Sequence, residues 1–381
     1  MILPGQTIGI LGGGQLGRMM ALSAREMGLR VAVLEPAADS PCGQVSDHEV
    51  ITAYDDQDGI KELAEKSDVI TYEFENVDVQ SAAWLETNAN LPQGSRLLQV
   101  TQHRLREKET LMAAGVPVAP FKAVHDAESL REAAAYTGLP AVLKTCRGGY
   151  DGKGQVVILT NQDFSIAEEL LKYGNDFVLE AWIPFEKELS VIITRSVNGE
   201  TTTFPLAENI HVNNILHQTI VPARVTAETE QKAKQLARSV AAELNLIGTL
   251  AVEMFAAADG TLYVNELAPR PHNSGHYTIE ACATSQFDQH IRAICGWPLG
   301  STELLKPAVM INVLGEHIES ILNNLSELKE AKLHLYGKDE AKTKRKMGHI
   351  TVLGDSTEKV LTEADRIIQA VYPQNLTEVI R

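Results

Sequence analysis

The sequence predicts a chain of mixed class, α/β at its N-terminal end and α+β beyond it, on three observations. Strand and helix patterns alternate from residue 7 onward in the order β-α-β. A second, shorter alternation between residues 141 and 180 fits a small α+β unit, and from Glu188 the pattern becomes rich in strands. With 381 residues, 44% hydrophobic and 22% charged, the chain is long enough for two or three domains of ordinary globular composition. The expected division is a Rossmann-like N-terminal domain over 1–100, a small lid subdomain with its leading helical linker over 101–185, and a larger C-terminal domain over 186–381.

Residues 7–11 are a short buried-strand pattern, 15–28 have helical periodicity and 30–34 form a second strand, which together make a βαβ unit. The strand 69–72 follows a helix-like stretch at 57–66 and extends the alternation. Residues 101–114 read as a charged helix closed by Gly115-Val116-Pro117, a stop signal that marks a boundary. In the second unit, strands at 141–144, 155–159 and 177–180 surround a helix at 164–173. A strand at 189–195 then leads into a hairpin turn at Asn198-Gly199, and 226–244 is a long amphipathic helix. Strands at 248–255 and 261–266 face each other across Asp259-Gly260, and a late strand is expected at 349–353.

Asp and Glu outnumber Lys and Arg by 50 to 34, and the net charge of −16 disfavours broad contact with nucleic acid or an anionic membrane. An anionic substrate therefore needs a local basic pocket. The N-terminal Met1-Ile2-Leu3-Pro4-Gly5-Gln6 lacks the basic region of a signal peptide, and no apolar run reaches the ~18 residues of a membrane helix, so a cytoplasmic location is expected. Cys42, Cys146, Cys282 and Cys295 are scattered, with no C-x-x-C, which argues against a zinc site or a disulfide framework. Cys146 reads as a small filler residue rather than a reactive thiol.

Four stretches carry chemistry. Lys144 ends a strand that enters Gly148-Gly149-Tyr150-Asp151-Gly152-Lys153-Gly154, where glycines let backbone amides approach a polyphosphate closely and the lysines add charge. It is not a Walker loop, and a plain surface hairpin is the alternative. Gly12-Gly13-Gly14-Gln15-Leu16-Gly17 matches G-x-G-x-x-G, with Glu35 ending the next strand, and this leaves open a nicotinamide, a flavin or another anionic ligand. Glu253 and Asn265-Glu266 place two carboxylates near facing strand ends, where they repel unless a cation such as Mg²⁺ lies between them. Pro269 and Pro271 stiffen the backbone around Arg270, whose planar fork suits carboxylate, bicarbonate or phosphate, and His272, Asn273 and Ser274 follow on the same loop. Glu180-Ala181-Trp182-Ile183 reads either as a simple linker or as a hinge that contacts an adenine edge, with Glu188 near the ribose hydroxyls. His211 is ambiguous, and Lys338, Arg345 and Lys346 form either a phosphate-binding focus or a solvated basic loop.

Taken in order, these elements resemble the ATP-grasp superfamily, and within it the 5-(carboxyamino)imidazole ribonucleotide synthase family of purine biosynthesis. The resemblance spans essentially the whole chain. It rests on Gly12–Gly17, Tyr72-Glu73-Phe74-Glu75-Asn76, the 149–155 loop, residues 265–276 and Arg345-Lys346-Met347-Gly348-His349. It implies a homodimer using ATP and Mg²⁺. The ATP-binding residues would be Arg104, Lys144, Gly149, Tyr150, Asp151, Gly152, Lys153, Gly154, Gln155, Glu180, Ala181, Trp182, Ile183, Glu188, His211, Asn265 and Glu266, and the Mg²⁺ ligands Glu253 and Glu266. Similarity to the formate-using glycinamide ribonucleotide transformylase extends this to Gln15, Leu16, Glu73, Asn273, Lys338, Arg345 and Lys346 for 5-aminoimidazole ribonucleotide, and the resemblance adds Tyr150 to them. Lys144, Arg270 and His272 are the expected catalytic residues, acting on bicarbonate and carboxyphosphate beneath a closing glycine-rich lid. Gln15 and Pro271-His272-Asn273-Ser274-Gly275 separate the chain from the transformylase by resemblance. A nicotinamide-dependent oxidoreductase would leave the second glycine loop and the paired glutamates without a role.

Overall fold

In the computed structural model, which describes residues 1–148, 154–174 and 176–372, the chain folds around three β-sheets in succession. Gly149, Tyr150, Asp151, Gly152 and Lys153 of the expected phosphate loop lie outside the described residues.

The first sheet is parallel, in the order β3-β2-β1-β4, with β1 Thr7–Leu11, β2 Arg30–Leu34, β3 His48–Val50 and β4 Val69–Tyr72. Parallel strands are covered on both faces, which is why β1, β2 and β4 are near-continuous apolar runs. Helices α1 (Gln15–Glu26), α2 (Gln57–Glu65) and α3 (Val79–Asn88) accompany it. Asp56 and Asp78 cap α2 and α3 by accepting from their first-turn amides.

The helix expected over 101–114 forms as α5 (Arg104–Ala113), and a short helix α4 (Arg96–Thr101) precedes it. The break has a local cause. The Gln102 side chain donates to the carbonyls of Glu75 and Val77, each at 2.7 Å, and His103 adopts extended backbone with φ −139° and ψ 103°. Leu97, Leu111 and Val116 pack with the later helix α8 (Ala227–Glu243), so this linker contributes to the core of the third sheet.

The second sheet is antiparallel, in the order β5-β8-β6-β7, from β5 Phe121–Val124, β6 Ala141–Thr145, β7 Gln155–Ile158 and β8 Phe177–Ala181. Together with α6 (Ala127–Thr137) and α7 (Phe164–Leu171) it encloses its own core, including Leu130, Leu143, Ile158, Phe177 and Leu179.

The third sheet has nine strands among the described residues: β9 Phe185–Arg195, β10 Thr201–Thr203, β11 Ala207–Val212, β12 Ile215–Val221, β13 Gly248–Ala257, β14 Leu262–Ala268, β15 Ala308–Leu314, β16 Ala331–Leu335 and β17 Lys346–Leu353. Its order is β14-β13-β9-β11-β12-β15-β17-β16, with β10 on β9. Helices α9 (Thr278–Ala281), α10 (Gln286–Cys295), α11 (Ile318–Asn323) and α12 (Thr357–Val371) complete the chain. Phe287, Ile291 and Ile294 of α10 pack against Ile8, Ile10, Leu16 and Met20, so the first and third sheets are joined through one shared core.

Candidate active site

Between the second and third sheets lies a cleft of about 490 Å³. It gathers residues far apart in sequence: Arg104 from α5, Lys144 from β6, Gln155 from β7, the hinge 180–183, Glu188 and His211, Glu253, Asn265 and Glu266, and Arg270, His272, Asn273 and Lys346. Trp182, Ile183, Phe185, Leu216 and Phe255 form its apolar part, and the Phe185 and Phe255 rings stack at 4.5 Å with 8° between planes. Such a surface suits a planar base.

Antiparallel pairing of β8 with β6 sets Glu180 opposite Val142, two residues from Lys144. Lys144 Nζ is 3.0 Å from Glu180 Oε2, and Lys108 Nζ lies 3.1 Å from the same oxygen. Burial would push the Glu180 carboxyl up, but Lys108 and Lys144 override it and hold it at about 2. Burial pushes the Lys144 ammonium down, against the pull of Glu180. The Glu180 side chain is therefore committed to two lysines, which leaves hinge backbone to face a base. Ala181 and Trp182 donate to the carbonyls of Pro120 and Pro140, while the Ile183 amide has no partner among the described residues.

Glu253 and Glu266 are register partners on β13 and β14. The pairing skips from Glu253↔Glu266 to Met254↔Val264, so Asn265 is the extra residue of a β-bulge. Adjacent strand residues normally point to opposite faces; the bulge lets Asn265 and Glu266 both line the cleft. Arg104 Nη1 lies 3.4 Å from Glu266 Oε2, and His272 Nε2 lies 3.0 Å from Glu253 Oε1. Burial would raise Glu253, but the His272 ring overrides it and lowers the carboxyl. A matching irregularity in β11 sets His211 across from Leu216, and His211 Nδ1 is 3.1 Å from Glu188 Oε2.

Arg270 is clamped through Nε to Glu75, whose carboxyl burial would raise but the guanidinium holds at about 2. Its Nη1 reaches the Pro271 carbonyl at 3.3 Å, and Nη2 has no partner among the described residues. His272 is the other residue expected to hold bicarbonate. Its Nδ1 accepts from the Ser274 amide at 3.3 Å and its Nε2 serves Glu253, so in this arrangement it orients a carboxylate. Asn273 is buried, lines the cleft and has an Nδ2 without a partner.

A second cavity of about 360 Å³ holds Gln15, Glu73, Lys338 and Arg345 beside Gly13, Gly14 and Tyr54. The G-x-G-x-x-G segment shows why a dinucleotide reading fails here. Glu73 accepts from the amides of Gly14 and Gly17, the latter at 2.6 Å, and so occupies the helix N-terminus where a pyrophosphate would bind. Glu35 is likewise held by Gly13 N–H at 2.7 Å and by the Tyr54 hydroxyl. Gly12, at φ +109°, must lack a side chain because one would run into Glu73. Leu16 lines neither cavity; its side chain is in the core under α1, leaving only its backbone for a ligand. Lys338, pushed down to about 8 by burial and by Arg345, donates to the Lys346 carbonyl at 2.7 Å.

Sequence reasoning missed Lys108 and gave Glu75 no role. Lys108 stands four residues after Arg104, on the same face of α5, and that spacing was the available signal.

A cleft between two antiparallel units, with a strand-end lysine, a hinge and paired cross-strand carboxylates, defines an ATP-grasp enzyme. Residues 109–287 match the ATP-grasp domain, 5–102 the ribonucleotide synthetase preATP-grasp domain, and 308–363 the phosphoribosylaminoimidazole carboxylase C-terminal domain. The chain belongs to the N5-carboxyaminoimidazole ribonucleotide synthase family. It is 57% identical over 363 residues to the Bacillus subtilis (strain 168) member, covering 95% of each chain. The Staphylococcus aureus (strain MRSA252) member is 49% identical over 363 residues, covering 95% of this chain and 96% of the relative. An ADP complex of a synthetase of this name superposes with a TM-score of 0.94 at 60% identity, covering 96% of this chain and 97% of the other. An Aspergillus clavatus synthase in complex with ADP and 5-aminoimidazole ribonucleotide gives 0.91 at 33%, covering 97% and 99%.

Proposed function

We infer that the chain is an ATP-dependent carbon–nitrogen ligase. It carboxylates the exocyclic amine of 5-aminoimidazole ribonucleotide with bicarbonate, giving 5-(carboxyamino)imidazole ribonucleotide, ADP and phosphate in purine biosynthesis. The observation that carries this reading is the segment 73–76, whose Glu73 lines the smaller cavity while Glu75 lines the larger. A ribonucleotide in one cavity and a triphosphate in the other thus meet at Arg270, which Glu75 holds.

In this reading the base lies against Phe185, Phe255 and Trp182, and the Ile183 amide donates to the ring. Glu188 and His211 take the ribose, and Lys338 and Arg345 take the substrate phosphate. Two carboxylates and an amide oxygen form a donor set that suits Mg²⁺, and Glu253, Glu266 and Asn265 would hold it. When bound, that ion supplies charge neutralisation on the polyphosphate. Lys144 exchanges Glu180 for a phosphate oxygen, and Lys108 remains to neutralise Glu180.

Arg270 Nη2 holds bicarbonate, one of whose oxygens attacks the γ-phosphorus as the bond to ADP breaks. The amine nitrogen then takes the carboxyl carbon of carboxyphosphate and phosphate leaves. Both His272 nitrogens are engaged, so the departing phosphate accepts the amine proton. We further read the chain as three domains over 1–100, 101–185 and 186–381, working as a cytoplasmic homodimer. No helix among the described residues is long and apolar enough to cross a membrane.

Phosphate release from ATP, with 5-aminoimidazole ribonucleotide and bicarbonate each omitted in turn, tests the assignment. Full turnover requires both. Replacement of bicarbonate by formate, or consumption of NAD(P)H, would sink it.

A further inference from the structure

We propose that Gln286, the first residue of α10, is a positioning residue for the reaction: its side-chain amide fixes the backbone of His272 and with it the aim of Arg270 and His272. The proposal rests on the reading that Arg270 holds bicarbonate. Gln286 is fully buried, where an amide needs its hydrogen-bonding groups met. Both ends of that amide engage one residue. Oε1 accepts from the His272 N–H at 2.8 Å, and Nε2 donates to the His272 carbonyl at 2.7 Å. His272 has extended backbone, φ −126° and ψ 153°, which turns its N–H and C=O to the same side. The contact is thus a hydrogen-bonded rung of an antiparallel ladder with a side chain in place of the second strand.

The amide is itself held. The Gln286 N–H donates to Thr278 Oγ1 at 2.9 Å, and Thr278 Oγ1 donates to the Gly275 carbonyl at 2.6 Å, so the start of α10 is tied to the far end of the same loop. Gly275 packs directly on it, since a methyl there would meet Gln286 Oε1 at 2.4 Å. At the near end of the loop, Gln93 Nε2 donates to the Pro269 carbonyl at 3.3 Å. His290, one turn after Gln286, accepts from the Thr249 N–H at Nδ1, and its Nε2–H donates to the Thr71 hydroxyl, which donates in turn to Gln93 Oε1.

Arg270 lies between these two anchors. Pro269 and Pro271 have no N–H, so the loop has few backbone donors of its own and depends on Gln93 and Gln286 to hold its course. Thr71 stands on β4, two residues before Glu73 and four before Glu75, the residue that clamps Arg270. The same network therefore refers the loop to both cavities. An apolar residue of equal length could fill the space of Gln286, but it would leave the His272 N–H without its acceptor and free the loop to shift. A shift of about 1 Å at reacting groups costs on the order of 100-fold in rate.

The test is steady-state phosphate release by Gln286→Met and Gln286→Glu, with ATP and bicarbonate each varied, beside thermal denaturation and an Arg270→Ala control. Gln286→Met should lower kcat/KM for bicarbonate by roughly 100-fold and leave the KM for ATP within about twofold of wild type. A neutral carboxylic acid offers a C=O and an O–H where the amide offers a C=O and an N–H, whereas a carboxylate only accepts and repels the His272 carbonyl. The nearest titratable ring is His276, whose Nδ1 is 3.3 Å from Gln286 Nε2 and which burial holds neutral, so the introduced carboxyl is raised by its own burial. Measured against wild type at the same pH, Gln286→Glu should be close to full activity at about pH 6 and lose roughly tenfold or more by about pH 9 as the carboxyl ionises. Wild-type bicarbonate kinetics in a folded Gln286→Met enzyme overturn the proposal. So does a KM for ATP that rises in step with that for bicarbonate, the result of a general loosening of the fold. Should Gln286→Met not fold, a Gln286→Glu ratio that stays flat across pH overturns it. Bicarbonate kinetics unchanged by Arg270→Ala defeat the assignment of bicarbonate to Arg270, whereas a loss there with none in Gln286→Met defeats only the role of Gln286.

Discussion

Replacing Lys108 with methionine separates a structural from a working role for the buried lysine pair. In the free protein Glu180 Oε2 is shared between Lys144 at 3.0 Å and Lys108 at 3.1 Å, and the Lys108 side chain is 2% exposed. Without Lys108, Glu180 keeps one cation, so the free enzyme loses one charge-assisted interaction, about 1–3 kcal/mol. The loss is larger with ATP bound. If Lys144 moves to phosphate, Glu180 is left alone in a buried site, a state that costs about 3–5 kcal/mol when no partner remains. The difference, about 2–3 kcal/mol, is charged against ATP binding and corresponds to a rise of roughly 30- to 150-fold in the KM for ATP. Coupled ADP-release kinetics over a range of ATP concentrations, with thermal denaturation of the same samples, measures both quantities. Lys108→Arg, which keeps the charge, should recover much of the KM. A folded Lys108→Met enzyme with an unchanged KM for ATP refutes the lysine exchange.

Arg270→Ala leaves Glu75 without its cation and should lower kcat by about 100-fold or more in bicarbonate-dependent phosphate release, with a smaller effect on the KM for ATP. Glu180 and Glu75 are both held at about 2, below the ordinary 4.5, so the stability they confer is complete above pH 4.5 and drains away as pH falls toward 2. Urea denaturation at a series of pH values should show this decline, and Glu180→Gln should flatten it, from a lower starting stability. Gly17→Ala places a methyl 2.7 Å from the Gly12 carbonyl oxygen and should cost about 1–3 kcal/mol, read as a lower Tm.

Much of the site was legible because its parts are local. The strand, loop and helix of 7–34 and the hairpin that pairs Glu253 with Glu266 both follow from short-range periodicity and turn residues. Other features depend on contacts that no window of sequence contains. The break between α4 and α5 comes from Gln102 reaching Glu75 and Val77. The glycine fingerprint at 12–17 left its ligand open because Glu73, which fills the helix N-terminus, lies on another strand's end. Lys108 belongs to no motif, and its role appears only when β8 brings Glu180 beneath it. The contact of His272 with Glu253 joins a loop to a strand and so lies outside any local pattern.

The shared core between α1 and α10 sets an order on biogenesis. Ile8, Ile10, Leu16 and Met20 are among the first residues to leave the ribosome, yet the Phe287, Ile291 and Ile294 side chains that cover them come nearly three hundred residues later. Contacts of such long sequence separation form slowly, and until they do the N-terminal sheet has an uncovered apolar face prone to association. The N-terminal unit is continuous in sequence but not self-sufficient: cut out after residue 100 it would lack its α10 cover, whereas the second sheet and its two helices carry a core of their own.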